Sequence, residues 1–328
     1  MSAKKNFYQL FDEGAKKGEV VWAPCIYDCM SAKVAETIGF EAVTISSLEQ
    51  RNAFLGFPSM TQDEMYTSTV NIIRSTNCAV LVDGEDGGGT PMEVYKNVKR
   101  YAEAGAAAIS IEDMYGGRSL GVRSIGVAAT HKRVSLDRQI IPAEIWAANI
   151  QAAVEACKGT DCIVIARIDS TTTIGRGPIK MAGHPGITFD QAIRRAQLGV
   201  KMGAPMTMIQ NICYNGGRAE WEQIQREVPG LHCYPDIHAD NGVSDIENAN
   251  DLLKLGFQLV TCHCFQKAAW KGMLEYGTYV FNHRNTILPE NDDFGHPIFQ
   301  ITPQTYPEMA EKCDRWIDTI EQYKDYEK

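Results

Sequence analysis

The sequence has no surplus of basic residues. Its 328 residues include 32 Lys and Arg against 41 Asp and Glu, a formal net charge of -9. Neutralising nucleic-acid phosphates needs the opposite balance, so nucleic acid is not an expected partner. No apolar run reaches the roughly 18–20 residues that cross a bilayer, so no membrane role is expected either. The start, MSAKKNFYQLFDEGAKKGE, has lysines but no apolar stretch behind them, which argues against a secretory leader. The ten cysteines follow no regular spacing. That suits reduced thiols in the cytoplasm and not a disulfide framework. The closest pair, Cys262 and Cys264, reads as buried thiols, because a metal site there would need further ligands nearby. What remains is an ordinary globular chain, 44% apolar and 22% charged.

The strongest positive signal is an alternation. Short apolar runs recur at Val20–Ala23, Ala42–Ile45, Ala79–Val82, Ala107–Ile111, Cys162–Ala166, Met206–Ile209, Leu231–Tyr234 and Gln258–Thr261. Continuous apolar runs mark strands buried on both faces of a parallel sheet. Helical patterns lie between and after them: Cys29–Ile38, Gln62–Ser75, Pro91–Ala104, Pro142–Ala156, Phe189–Met202, Arg218–Glu227, Ser244–Leu255 and Phe265–Glu275. Thr90 before Pro91 is a cap followed by a first-turn proline, and Thr188 with Gln191 has capping-box spacing. Eight strand–helix units predict an α/β fold, a single (β/α)8 TIM barrel spanning residues 1–328. A leading helix (Lys4–Lys17) and a helical tail from about residue 302 extend it. The glycines and prolines of Thr171–Asp190 predict an ordered loop without a helix over the barrel mouth.

In such barrels the chemistry sits at the C-terminal ends of the strands. The third run ends in Asp83, followed by Glu85, Asp86 and Gly87-Gly88-Gly89. The fourth ends in Glu112 and Asp113, and the fifth in Arg167 with Asp169 two residues on. Carboxylates gathered at adjacent strand ends repel one another unless a cation sits among them. A hard divalent ion, Mg2+ or Mn2+, is the natural occupant, and salt bridges to Arg167 and Lys99 are the purely structural alternative.

At these residues the sequence resembles the isocitrate lyase / phosphoenolpyruvate mutase superfamily, in its 2-methylisocitrate lyase-like branch. VLVDGEDGGG (Val80–Gly89) is similar to the family's V-D-x-D-x-G-x-G signature, AGAAAISIED (Ala104–Asp113) to its I-E-D segment, and VIARIDS (Val164–Ser170) to its A-R-x-D segment. The likeness covers about residues 20–275. It implies Mg2+ held by Asp83, Glu85 and Glu112, a substrate carboxylate gripped by Arg167, and backbone amides at Ser46, Ser47 and Leu48 meeting the substrate. It also implies a homotetramer, a dimer of dimers that exchange their last helix. The activity it implies is Mg2+-dependent lyase cleavage of a C–C bond in a small 2-oxo or 2-hydroxy carboxylic acid through an enolate. Breaking a bond beta to a carbonyl develops charge on an enolate oxygen, which a Lewis acid stabilises. The alternatives are a phosphonopyruvate-type mutase or hydrolase acting on a P–C bond, and a non-catalytic metal-binding barrel.

The sequence departs from the family pattern in several places. The lid that carries K-[KR]-C-G-H in the C–C lyases reads MYGGRSLGVRSIGVAATHKRVSLDRQ (Met114–Gln139) and contains no cysteine. The mutase lid with K-N-S is absent too. Tyr115, His131 or a metal-bound water are then the candidate proton donors. Ser59 replaces an expected aspartate, and Gln210 an expected glutamate. His238, with Asp236 near it, and His263 stand at strand ends. Gln210, His238 and His263 are therefore further substrate-binding candidates.

Overall fold

The computed structural model describes residues 4–56, 60–115, 139–174, 177–178, 186–237, 248–286 and 307–324. Eleven strands occur among them: β1 (Val21–Ile26), β2 (Ala42–Ile45), β3 (Ala79–Asp83), β4 (Ala108–Glu112), β5 (Ile163–Ile168), β6 (Thr171–Ile174), β7 (Gly177–Pro178), β8 (Ile187–Thr188), β9 (Met206–Ile209), β10 (Leu231–Tyr234) and β11 (Leu259–Cys262). Eight of them close the expected parallel barrel in the order β1-β11-β10-β9-β5-β4-β3-β2. Each of the eight apolar runs read from the sequence is one of these strands. Their burial on both faces, as in β2 and β4, is why they lack alternation.

Two apolar layers hold the barrel. The inner one stacks Ala23, Ala42, Ala79, Leu81, Ile165, Met206 and Leu259 inside the strands. Phe7, Leu10 and Phe11 of the leading helix (Phe7–Lys17) join that layer. The outer layer packs strand residues such as Val80, Ile109 and Val164 against helix residues such as Val98, Trp146 and Ile224. The caps are as expected: Thr90 accepts from the Glu93 amide ahead of Pro91, and Thr188 forms a capping box with Gln191.

Four features differ from the sequence reading. A helix at Ser47–Leu55 was not anticipated, because its apolar residues form no stripe at helical spacing. The insertion after β5 contains no helix before Phe189, but it forms a three-stranded sheet in the order β7-β6-β8. The helix that starts at Phe265 runs on to His283, eight residues past its expected end. Of the expected helix Ser244–Leu255, only Asp251–Lys254 is helical among the described residues.

The chain divides into two compact units, Lys4–Ala269 and a smaller one that includes Trp270–Lys328. The smaller unit contains the helix Pro307–Tyr323, whose Trp316, Ile317, Ile320 and Tyr323 are exposed. No described helix is long and apolar enough to cross a membrane.

Candidate active site

Parallel registration brings the acidic strand ends together. β3 lies beside β4, and β4 beside β5, with Glu112 directly opposite Arg167. The Arg167 guanidinium is the hub. Its Nε and Nη2 donate to the two oxygens of Asp169 at 2.8 and 3.3 Å. Its Nη1 donates to Asp83 Oδ1 at 3.0 Å, and its Nη2 lies 3.7 Å from Glu112 Oε2. Burial alone would lower the pKa of Arg167. The Asp169, Asp83 and Glu112 carboxylates outweigh it and hold the group well above its ordinary value. The guanidinium is therefore permanently charged and fixed in orientation.

The loop after β3 is shaped by backbone conformation. Gly87, Gly88 and Gly89 all have positive φ, +67°, +105° and +80°. A side chain at Gly87 would place its Cβ 2.9 Å from Val94 Cγ2, so only glycine fits this turn. Two helices tie the loop down, as Asn97 Nδ2 donates to the Gly87 carbonyl and Asn149 Nδ2 to that of Gly89. Glu85 also takes a left-handed φ of +50°, which a residue with a Cβ adopts at some cost. Its carboxylate forms a buried ion pair with Arg51. Asp83 and Glu112 thus converge on Arg167, whereas Glu85 is engaged by a second arginine. That arginine comes from the unanticipated helix, and its Nε and Nη1 have no hydrogen-bond partner among the described residues.

The other candidates have defined places. Ser46 caps the helix Ser47–Leu55, and Ser47 Oγ donates to Asp83 Oδ2 at 2.9 Å. Leu48 follows in the first turn of that helix. Gln210 Nε2 donates to Asp236 Oδ2 at 2.6 Å. His263 lies between two carboxylates, Glu49 at 2.9 Å and Asp236 at 3.1 Å. The neighbouring Cys25 sulfur, followed by Asp236 and Glu49, raises its pKa above the ordinary value against the pull of burial. Tyr115 donates its amide to the Gln139 carbonyl, which with the Met114–Ile140 bridge joins the two ends of segment 116–138. His131 and His238 lie outside the described residues. Cys262 and Cys264 are 3.9 Å apart, but Cys264 is exposed, so the pair is not the buried one expected.

Asp113, read from the sequence as one of the gathered strand-end carboxylates, has a structural task that the sequence did not show. It accepts the amides of Asp169 and Ser170 at 2.8 and 3.0 Å, the Ser170 hydroxyl, and Arg195 Nη1 at 3.2 Å. Burial raises its pKa, while the Ser170 hydrogen bond and Arg195 favour its ionised form. It fixes the turn that aims Asp169 at Arg167.

A (β/α)8 barrel whose catalytic rim sets carboxylates from three neighbouring strands around one arginine defines the class. The particular family follows from comparison: the model of phosphoenolpyruvate phosphomutase matches residues 11–276, and the chain belongs to that family. It is 31% identical to isocitrate lyase of Haloferax volcanii, covering 94% of this chain and 82% of that one. It is 28% identical to 2,3-dimethylmalate lyase of Eubacterium barkeri, covering 65% of each. It is 27% identical to the petal death protein of Dianthus caryophyllus, covering 78% of this chain and 71% of that one. Among solved structures, oxaloacetate acetylhydrolase with 3,3-difluorooxalacetate superposes with a TM-score of 0.72 at 18% identity, covering 97% of each chain. A crystal structure of 2,3-dimethylmalate lyase gives 0.70 at 20% identity, covering 95% of this chain and 98% of that one. These two structural matches speak for the fold.

Proposed function

We propose that the chain is a Mg2+-dependent lyase that breaks a C–C bond in a small 2-oxo or 2-hydroxy carboxylic acid. The observation that carries this reading is Arg167, charged, buried and aligned by Asp83, Asp169 and Glu112 at the barrel rim. The named relatives supply the reaction class, since they include 2,3-dimethylmalate lyase, 2-methylisocitrate lyase of Aeropyrum pernix and oxaloacetate decarboxylase of Paraburkholderia xenovorans.

The residues present fit a hard divalent cation. Asp83 and Glu112 offer oxygen donors from adjacent strand ends, converging on a single guanidinium. Those two would hold the ion, with Glu85 shared with Arg51. When bound, Mg2+ or Mn2+ supplies Lewis-acid stabilisation for the developing enolate. Arg167 grips the substrate carboxylate, the bidentate geometry for which a guanidinium is suited. Ser47 fixes the Asp83 carboxylate from the second strand's end. The amides of the first helical turn, at Ser47 and Leu48, would meet a substrate anion with the positive end of the helix, whereas the Ser46 amide, also expected to meet it, already donates to the Ile26 carbonyl at 3.1 Å. Tyr115, where segment 116–138 begins, is the proton donor we assign among the described residues.

A second reading keeps the same rim for a P–C bond, as the family's description suggests. The sequence Met114–Gln139 lacks the mutase lid motif, which favours the lyase. The exposed apolar residues of the two C-terminal helices, among them Trp270, Met273, Phe281 and Trp316, support a homotetramer built by helix exchange. All ten cysteines are free thiols, which suits the cytoplasm.

The test is a screen of 2-oxo and 2-hydroxy acids for Mg2+-dependent release of pyruvate or oxalate. The lyase reading expects release that chelation stops and Asp83→Ala abolishes. Unchanged turnover in Asp83→Ala would remove that residue from the site. Release of phosphate or isomerisation of phosphonopyruvate would favour the second reading.

A further inference from the structure

The rim holds a second cluster, where β1, β10 and β11 close the barrel. Cys25 is the penultimate residue of β1, His263 follows the last residue of β11, and Asp236 lies two residues beyond the end of β10. Parallel pairing of β10 with β11 and of β11 with β1 makes these three ends neighbours. Nothing in the sequence links them, since they are separated by more than 200 residues at the widest.

His263 is the centre. Its Nε2 is 3.1 Å from Asp236 Oδ1 and 3.9 Å from Cys25 Sγ. The ligand atoms of Cys25, Asp236 and His263 all lie within 4.8 Å of one another. A tetrahedral ion with bonds of about 2.0–2.3 Å needs its donors roughly 3.3–3.8 Å apart. The two spacings about His263, 3.1 and 3.9 Å, already lie near that range.

The residues behind these three have the arrangement that metal ligands require. Glu49 Oε1 lies 2.9 Å from His263 Nδ1, and so orients the ring with Nε2 toward Cys25 and Asp236. Gln210 holds Asp236 Oδ2 at 2.6 Å and leaves Oδ1 on the cluster side. A carboxylate behind a histidine and a donor behind a carboxylate are the outer contacts that fix ligating side chains. The Asp236 backbone is fixed as well. It takes a left-handed φ of +49°, with its amide donating to Thr261 Oγ1 at 3.0 Å. Such strain in a residue with a Cβ persists where its neighbours over-determine it. Cys25 and Glu49 are buried, and the Glu49 Oε2 oxygen has no hydrogen-bond partner among the described residues. His263 is partly exposed, which leaves an approach from the rim.

We propose that Cys25 Sγ, His263 Nε2 and Asp236 Oδ1 form a second metal site, for a borderline-soft divalent ion of the zinc class. Sulfur, nitrogen and oxygen donors in a set of three leave the fourth position for water or a substrate atom, as in catalytic zinc sites. The donors distinguish it from the all-oxygen pair Asp83 and Glu112, so the two sites select different ions. Binding forms three donor–metal bonds and releases the Cys25 thiol proton and any proton on Nε2 to solvent.

The experiment uses the full chain, reduced, stripped with a chelator and titrated anaerobically with Co2+ as the probe. One equivalent should bring the visible bands of a tetrahedral ion and a near-ultraviolet thiolate-to-cobalt band. Zn2+ should displace both, and an excess of Mg2+ neither. Cys25→Ser should remove the thiolate band, and His263→Gln should weaken binding at least tenfold. Glu49→Gln, a milder change behind the histidine, should weaken it about tenfold while keeping the band. The double variant Cys262→Ala/Cys264→Ala should behave as the parent. No thiolate band in the parent, a band that survives Cys25→Ser, or a band lost in the Cys262/Cys264 variant would each overturn the proposal.

Discussion

Replacing Arg167 by methionine keeps an unbranched apolar stem and removes the guanidinium. In the parent, that group contacts Asp83 at 3.0 Å, Asp169 at 2.8 Å and Glu112 at 3.7 Å, and its side chain is only 7% exposed. Water does not replace it at such burial. Removing one partner of a buried ion pair typically costs about 3–5 kcal/mol, because the remaining charge stays desolvated. Three carboxylates around one position place the expected loss at about 4 kcal/mol, the middle of that range. Urea unfolding followed by tryptophan fluorescence measures it. A divalent cation beside Asp83 and Glu112 takes over part of the lost positive charge. Mg2+ should therefore stabilise Arg167→Met by more than it stabilises the parent. A loss below about 1 kcal/mol, the scale of an exposed pair, would refute the view that Arg167 organises a buried site. Equal Mg2+ stabilisation of both proteins would refute the placement of the cation beside it.

Three further outcomes are expected. His232 is buried beside Thr207, and burial pushes its pKa from 6.5 down to about 4. The unfolded chain then takes up a proton below pH 6.5 that the folded chain refuses until about 4. This contribution is present above pH 6.5 and lost as pH falls toward 4. At 1.36 kcal/mol per unit, a fall from 6.5 to about 4 gives about 3 kcal/mol. His232→Gln should flatten unfolding stability between pH 6.5 and 4.5, and an unchanged slope would contradict this. Gly87→Ala combines a φ of +67° with a contact of 2.9 Å, whereas Gly18→Ala combines a φ of +72° with open space. The first should cost about 2 kcal/mol more than the second, and equal midpoints would remove the steric argument. Asp113→Asn, which weakens the anchor of the Asp169 turn, should lower kcat at least tenfold on whichever acid the screen identifies, with KM rising through a loosened Arg167. Unaltered kinetics would limit Asp113 to folding.

The barrel was legible because both-face burial leaves continuous apolar runs, and each run proved to be a strand. Asp83, Glu112 and Arg167 were legible as rim residues because each ends such a run. The helix Ser47–Leu55 was not, since it packs by polar anchors. Gln50 donates to Thr69 and Arg51 pairs with Glu85, and neither leaves a hydrophobic period. The partnership of Glu85 with Arg51 was hidden for the same reason. Cys25, Asp236 and His263 meet only because β1 and β11 close the barrel, so the signal was the ring closure and not any local spacing.

Calorimetric titration of oxalate, an analogue of the enolate of pyruvate, tests the central claim most directly. With Mg2+ present the parent should bind oxalate at the rim, without Mg2+ it should not, and Arg167→Met should bind it in neither condition. Oxalate heats that are indifferent to Mg2+, or that persist unchanged in Arg167→Met, would contradict the account.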